Sequence, residues 1–81
     1  MELKDTIEMM NSTEYKERFK AEYDQLTIRG NKLRAMLVKY KAGTLDFVPS
    51  CPYDLLFEQL RLMGQYALIL EARAELEGID L

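Results

Sequence analysis

Along two long stretches of the chain, apolar residues recur in alternating steps of three and four, the spacing that gathers side chains on one face of an α-helix. The first series is Phe19, Tyr23, Leu26, Gly30, Leu33, Leu37 and Tyr40, and the second is Leu56, Leu60, Met63, Ala67, Leu70 and Ala74. Heptad seams of this kind pack helix against helix. They predict long helices over 12–42 and 52–77, joined by a connector over 43–51. Leu3, Ile7 and Met10 share a helical spacing and add a short amphipathic helix over 3–10. At about 1.5 Å per residue the long helices would run roughly 45 and 39 Å. The expected fold is therefore all-α: one domain, a long antiparallel helical hairpin preceded by a short N-terminal helix.

Residues near the predicted ends carry the chemistry of helix termini. Asn11 as a cap would put Glu14 at the third helical position, a capping-box arrangement, and Ser12 is an alternative cap. Gly43 fits the position just past a helix end, with Lys39 and Lys41 in the last turn. Pro52 fits the first turn of the next helix and Asp54 sets a negative charge near its N-terminus. Gly78, followed by Ile79 and Leu81, reads as the end of the last helix. Leu45, Phe47 and Val48 are too apolar for a solvated connector and are expected to fold back over the end of the hairpin.

The stretch "LTIRGNKL", residues 26–33, sets Gly30 where a helix should propagate. A mid-helix glycine costs about 1 kcal/mol relative to alanine. A Gly-Asn turn splitting the helix is one reading, but Gly30 falls on the seam, which favours continuity. With the bend centred near Phe47, Gly43 opposes Cys51 and Gly30 opposes Gly64. Either the two backbones approach closely there, or the missing side chains leave a notch. An aromatic from a neighbouring subunit, such as Tyr66, or a bound small molecule would fill it.

Each long helix also carries a second apolar stripe. Ala21, Ile28 and Ala35 are spaced by seven, as are Leu55, Leu62, Ile69 and Leu76. Two helices cannot bury two stripes each, so either the short N-terminal helix or another subunit must cover the surplus. At 81 residues a single core is marginal, and disulfides, metals or oligomerisation are the usual remedies. Cys51 is the single cysteine and there is no histidine, which removes an internal disulfide and any zinc spacing. Self-association into a homo-oligomer is the remaining remedy.

A net charge of −3 conceals a polarised chain. Between Gln25 and Leu45 there is no acid, while Arg29, Lys32, Arg34, Lys39 and Lys41 all lie there; from Asp54 onward acids predominate. A basic helix packed beside an acidic one accounts for this, and so does a local anion site. The acidic balance argues against binding a nucleic acid polymer. No apolar run reaches the roughly 20 residues of a membrane span, and the opening residues do not read as a signal peptide, so a cytoplasmic protein is expected.

Catalytic constellations are missing from the pattern: no histidine base, no glycine-rich phosphate loop, no metal-ligand cluster and no cofactor motif. Cys51 stands between two prolines near a helix start without an evident base. A non-enzyme is expected. Binding chemistry is better represented. Tyr15, Tyr23, Tyr40, Tyr53 and Tyr66 are many tyrosines for a chain without tryptophan. A tyrosine ring stacks on a nucleobase while arginine and lysine hold phosphate, although tyrosines at helical spacing also serve as half-buried rim residues. Arg29 and Lys32 share a helix face, and Arg18 follows Tyr15 by one turn.

The run from Tyr15 to Leu26, then Lys32-Leu33, then Leu56 to Tyr66 and Leu70 to Arg73 carries a wider pattern. It reads as a YxxR-x3-E-x3-L opening, a variable connector and a QL-x2-M-x2-Y-x3-L-x2-R closing helix. Across about 60 of its 81 residues the chain resembles a family of small phage proteins named after a crAss-like phage and common in prophages of Gram-positive bacteria. That family is similar in turn to the helical-hairpin sponges with which phages defeat CBASS and Thoeris immunity. The resemblance implies a homo-oligomer in the bacterial host cytoplasm that sequesters cyclic oligonucleotides or cyclic ADP-ribose isomers between subunits, without catalysis. It implies that a Tyr and a Lys or Arg from neighbouring helices stack bases and hold phosphates, for which Tyr15, Arg18, Lys32, Arg61 and Tyr66 are suitable types. Arg29, beside the glycine notch, completes the candidate ligand-binding set. Gly30 and Gly64 depart from the family pattern, which has larger residues there more often, leaving open whether a pocket is retained, enlarged or lost. The alternative function is an α-helical oligomeric phage adaptor or structural protein with no small ligand. A protein-directed inhibitor of a host enzyme is a third reading.

Overall fold

A computed structural model describes all 81 residues. The chain is all-helical: a 3-10 turn over Leu3–Thr6 leads into α1 (Ile7–Met10), followed by α2 (Tyr15–Ala42) and α3 (Tyr53–Glu77). α2 runs unbroken for 28 residues through Gly30, and α3 runs for 25. The Gly-Asn turn is thereby excluded. α2 and α3 lie antiparallel, giving a molecule of 43 × 24 × 17 Å. The radius of gyration is 14.9 Å, against about 12 Å for a compact chain of this length.

Seam residues meet as the periodicity requires. Phe19, Leu37, Leu70 and Ala74 are buried, and the rest of both series is half-buried except Tyr40. The only contiguous buried cluster, Phe19, Leu70, Ala74 and Ile79, closes the open end of the hairpin, with Tyr23 and Leu26 packed against it. Ile79 reaches that cluster because Gly78 adopts a left-handed conformation (φ 69°), which lets the Ile79 N–H donate to the Ala74 carbonyl at 2.8 Å. Gly43 (φ 78°) ends α2 in the same way, with Thr44 N–H donating to the Lys39 carbonyl at 2.9 Å.

The N-terminal segment packs on α2 and does not touch α3. Its anchor is the fully buried Thr6, whose hydroxyl donates to the Leu3 carbonyl at 2.7 Å and accepts from Gln25 Nε2 at 3.0 Å. Gln25 also reaches the Met10 sulfur. Ala21 is wholly buried and Ile28 half-buried. The short helix thus covers the N-terminal part of the second α2 stripe, and the second α3 stripe is left open.

Three expectations are corrected. α2 starts at Tyr15 with Glu14 as its cap, so neither Asn11 nor Ser12 caps the helix. Ser12 instead bends the chain: its hydroxyl accepts the Glu14 N–H at 3.0 Å, and Arg18 Nη1 donates to its carbonyl at 2.9 Å. This local bonding holds residues 11–14 out of the helix, which lets α1 turn back onto α2. Phe47 and Val48 do not fold over the bend; they are 54% and 91% exposed. The bend is already closed by aromatic stacking of Tyr40 on Tyr53 and of Tyr53 on Phe57, at centroid distances of 5.2 and 6.0 Å. Nor does a basic helix pair with an acidic one: no ion pair joins α2 to α3. Antiparallel packing brings the basic half of α2 alongside the N-terminal half of α3 and leaves the acidic C-terminal half of α3 beside the charge-balanced start of α2.

Gly30 and Gly64 do sit at one level, both lining a cavity of about 160 Å³. A Cβ added at Gly30 would meet only the Met63 Cε at 3.8 Å, and one added at Gly64 would meet nothing within 4 Å. Close helix approach therefore does not require either glycine, and the notch is the surviving reading. Alanine at Gly64 should stabilise the chain by about 0.5–1 kcal/mol through helix propensity, a rise of roughly 2–8 °C in the thermal midpoint. Thermal melts followed by circular dichroism check this, and a fall in midpoint would show the helices to be closer than the notch implies.

Candidate functional site

Two concavities lie along the α2–α3 junction and share walls. The glycine notch is bordered by Leu26, Arg34, Leu60 and Met63 among others. The second cavity, about 410 Å³, sits nearer the bend between Arg34, Leu37, Val38 and Lys41 of α2 and Tyr53, Phe57 and Leu60 of α3. Arg34 and Leu60 line both, making one groove from the notch to the bend.

The sequence builds this groove simply. Leu37 and Leu60 are seam residues that form its floor, while Val38 and Phe57, one position off the seam or three before it, are half exposed at its rim. Tyr53 begins α3 directly after Pro52 and stacks with Tyr40 and with Phe57, so an aromatic wall stands at the bend end of the groove. Lys41 Nζ lies 5.3 Å from the centroid of the Tyr53 ring, a cation–π placement. Arg34, also at the rim, has no carboxylate partner. An apolar floor, flat aromatic faces and two cations without carboxylate partners are suited to a planar ring bearing negative charge.

The six sequence-derived candidates are placed apart. Tyr15 lies at the open end, where its hydroxyl donates to Glu77 at 2.8 Å and accepts from Arg73 at 2.9 Å. Arg18 holds the Ser12 carbonyl. Lys32 faces Glu2 at 3.9 Å and borders a separate cavity near the connector, alongside Lys39 and Phe47. Arg61 is clamped by two bonds to Glu58, at 3.0 and 2.5 Å. Tyr66 donates to Glu22 and lines a groove on the outer side of α3. Arg29 is exposed and unpaired. None of the six borders the notch-to-bend groove.

All five tyrosines cross the hairpin. Tyr15, Tyr23 and Tyr66 donate to Glu77, Glu71 and Glu22 on the facing helix, and Tyr40 stacks on Tyr53. The rim role accounts for three of them. The groove residues Arg34, Lys41, Tyr53 and Phe57 lie outside the candidate set. Their signal was present in the acid-free stretch and in the hairpin register, which sets Tyr40 opposite the start of α3.

Taken together, the elements define a small helical hairpin with a groove along its α2–α3 junction. The sequence profile of the Sequestin family matches residues 13–76, from just before Tyr15 to beyond Arg73, and the chain belongs to that family. The family's name denotes sequestration. No significant match is found among curated proteins or among solved structures.

The tyrosine–glutamate bonds have a pH consequence. The bond to Glu77, with partial burial, raises the Tyr15 hydroxyl above its ordinary 10.0, and burial followed by the Glu71 bond does the same for Tyr23. A raised folded-state pKa means that the native chain holds these protons more tightly. Their stabilisation is therefore complete below pH 10 and is lost as pH rises through the raised values. Stability measured by denaturant melts should fall above about pH 10, and the double variant Tyr15→Phe/Tyr23→Phe should flatten that decline. An unchanged alkaline limb in the double variant would show that other groups cause it.

Proposed function

We propose that this protein is a non-catalytic anti-defence sponge. It binds a cyclic nucleotide immune signal, a cyclic oligonucleotide or a cyclic ADP-ribose isomer, and sequesters it in the bacterial host cytoplasm. Binding takes place at the subunit interfaces of a homo-oligomer. The observation that carries the reading is the notch-to-bend groove, with its stacked aromatic wall and the cations Arg34 and Lys41. Membership of a family named for sequestration supports binding as the activity. The two glycines support it as well, since packing does not require them and they keep the notch open.

In this reading a base stacks on the Tyr53–Phe57 wall, and Arg34 and Lys41 neutralise phosphate. Lys41 leaves the Tyr53 face to do so, and aromatic stacking of the base replaces its cation–π contact. Arg29 and Lys32, on the exposed side of α2, add attraction for an anion. Tyr15, Arg18, Arg61 and Tyr66 contribute only where a second subunit completes the pocket.

Thermal-shift measurements against cyclic di- and trinucleotides and cyclic ADP-ribose isomers test this. A ligand that binds only the folded chain adds about 2.7 kcal/mol of stability at 100 times its Kd. A clear upward shift is expected with at least one of these compounds. Arg34→Ala/Lys41→Ala and Phe57→Ala should each abolish it while leaving the helical content intact. Loss of the shift with Arg18→Ala, and not with these, would move the site to the open end. No shift with any compound would overturn the sponge reading in favour of an oligomeric adaptor or structural protein.

A further inference from the structure

The second stripe of α3 has no cover within the chain. Leu55, Leu62, Ile69 and Leu76 are 60%, 50%, 59% and 88% exposed. They repeat every seven residues over most of α3, and the N-terminal segment is engaged on α2, on the other side of the hairpin. Four aliphatic side chains at heptad spacing supply one of the two seam positions of a two-helix interface, with Tyr66 and Ala72 between them. A groove of about 470 Å³ between Leu55, Leu62, Met63 and Tyr66 runs along the same face.

Charge selects the occupant and its direction. Residues 29–61 hold six basic and three acidic side chains, a net of +3, which leaves −6 for the remainder of a chain of net charge −3. In the hairpin the bend half is positive and the open half, residues 15–28 and 62–81, holds four basic and seven acidic side chains, a net of −3; the N-terminal segment carries the rest, with Glu2 beside Lys32. A second copy lying parallel would stack like charge on like, whereas an antiparallel copy sets each positive half against a negative one. The stripe is also symmetric about its own midpoint, between Gln65 and Tyr66. Antiparallel pairing centred there puts Leu55 opposite the second copy's Leu76 and Leu62 opposite its Ile69. Glu58 then falls beside the second copy's Arg73, an opposite charge on the flank of the seam.

We infer that the outer face of α3 binds the same face of a second copy, antiparallel about a two-fold axis near Gln65 and Tyr66. This deepens the self-association in the proposed function by naming the surface, the register and the direction. It rests on the α3 face itself and not on the identity of any ligand. An isologous contact of this kind closes on itself, so this face yields a dimer and any larger assembly requires a different surface.

Light scattering on the full chain should return at least twice the 9.5 kDa of one chain. Leu62→Glu/Ile69→Glu should lower the association by one dimerisation step, to a monomer if this is the only interface, with helical circular dichroism retained because both positions are half exposed. Direction and register are read by cross-linking in a Cys51→Ser background. On mild oxidation, a chain carrying Leu55→Cys should form a disulfide with a chain carrying Leu76→Cys, and neither chain should cross-link to itself. Self-cross-linking of the Leu55→Cys chain would show a parallel pairing and overturn the inference, as would a monomeric wild-type chain or an unchanged mass in the double glutamate variant. The ligand reading fails separately: a dimer with this cross-link and no thermal shift leaves the interface standing, while a thermal shift from a monomeric chain overturns the interface and confines the site to a single hairpin.

Discussion

The contact between Phe19 and the Leu70–Ala74 turn of α3, sealed by Ile79, is the one contiguous buried cluster that joins the two long helices. Everything else in the fold depends on it. Seven residues of the chain are buried in all, and four of them form this cluster. Toward the bend the seam is less thoroughly covered, and a groove runs there between the two helices. Arg73 strengthens that end without adding to its apolar surface: its guanidinium lies 5.0 Å from the Phe19 ring centroid while its donors reach Glu77 and the Tyr15 hydroxyl.

Phenol hydroxyls, and no ion pairs, join α2 to α3, with the Arg73 guanidinium adding one charged donor to the Tyr15 hydroxyl at the open end. Tyr15, Tyr23 and Tyr66 donate to glutamates on the facing helix, and every ion pair in the chain lies elsewhere. A phenol loses less hydration than an ammonium or guanidinium when it leaves water, and its ring adds apolar area on the way across. This arrangement also keeps the cations of α2 free of α3 carboxylates. Arg29, Arg34, Lys39 and Lys41 remain unpaired, and the field near the bend is positive in a chain whose net charge is negative.

Much of this was legible in the residues, and the limits have physical causes. A seam with a period near 3.5 states which face of a helix is covered, so both seams and the level of Gly30 with Gly64 followed from spacing alone. Gly43 and Gly78 were legible because a left-handed helix end favours glycine so strongly. Spacing does not state what does the covering. Phe47 and Val48 looked like a lid, but the Tyr40–Tyr53–Phe57 stack had already closed the bend. Cap preferences place the start of α2 too early, because the Ser12 hydroxyl accepts the Glu14 N–H and Arg18 reaches back to the Ser12 carbonyl, which together hold residues 11–14 out of the helix. The candidate site scattered for the same reason. Tyr15, Arg18, Arg61 and Tyr66 have the right chemistry for a phosphorylated ring, but each has a partner within the chain that composition does not reveal.

The arrangement also explains how so small a chain combines a groove with surplus apolar surface. A helix buried on one seam has its remaining perimeter to distribute. On α3 the seam residues face α2, Phe57 and Leu60 turn toward the groove, and Leu55, Leu62, Ile69 and Leu76 turn away from both. Occupation of the groove and coverage of the outer stripe therefore involve different sides of the same helix. Each still bears on the other through stability. With a core this small, any contact that the folded chain makes and the unfolded chain lacks shifts the folding equilibrium by mass action. The proposed ligand in the groove and the proposed neighbour on the stripe would both act in that way. On the proposed function, the helix stability that the glycine notch gives up on each side would be restored by what the chain binds.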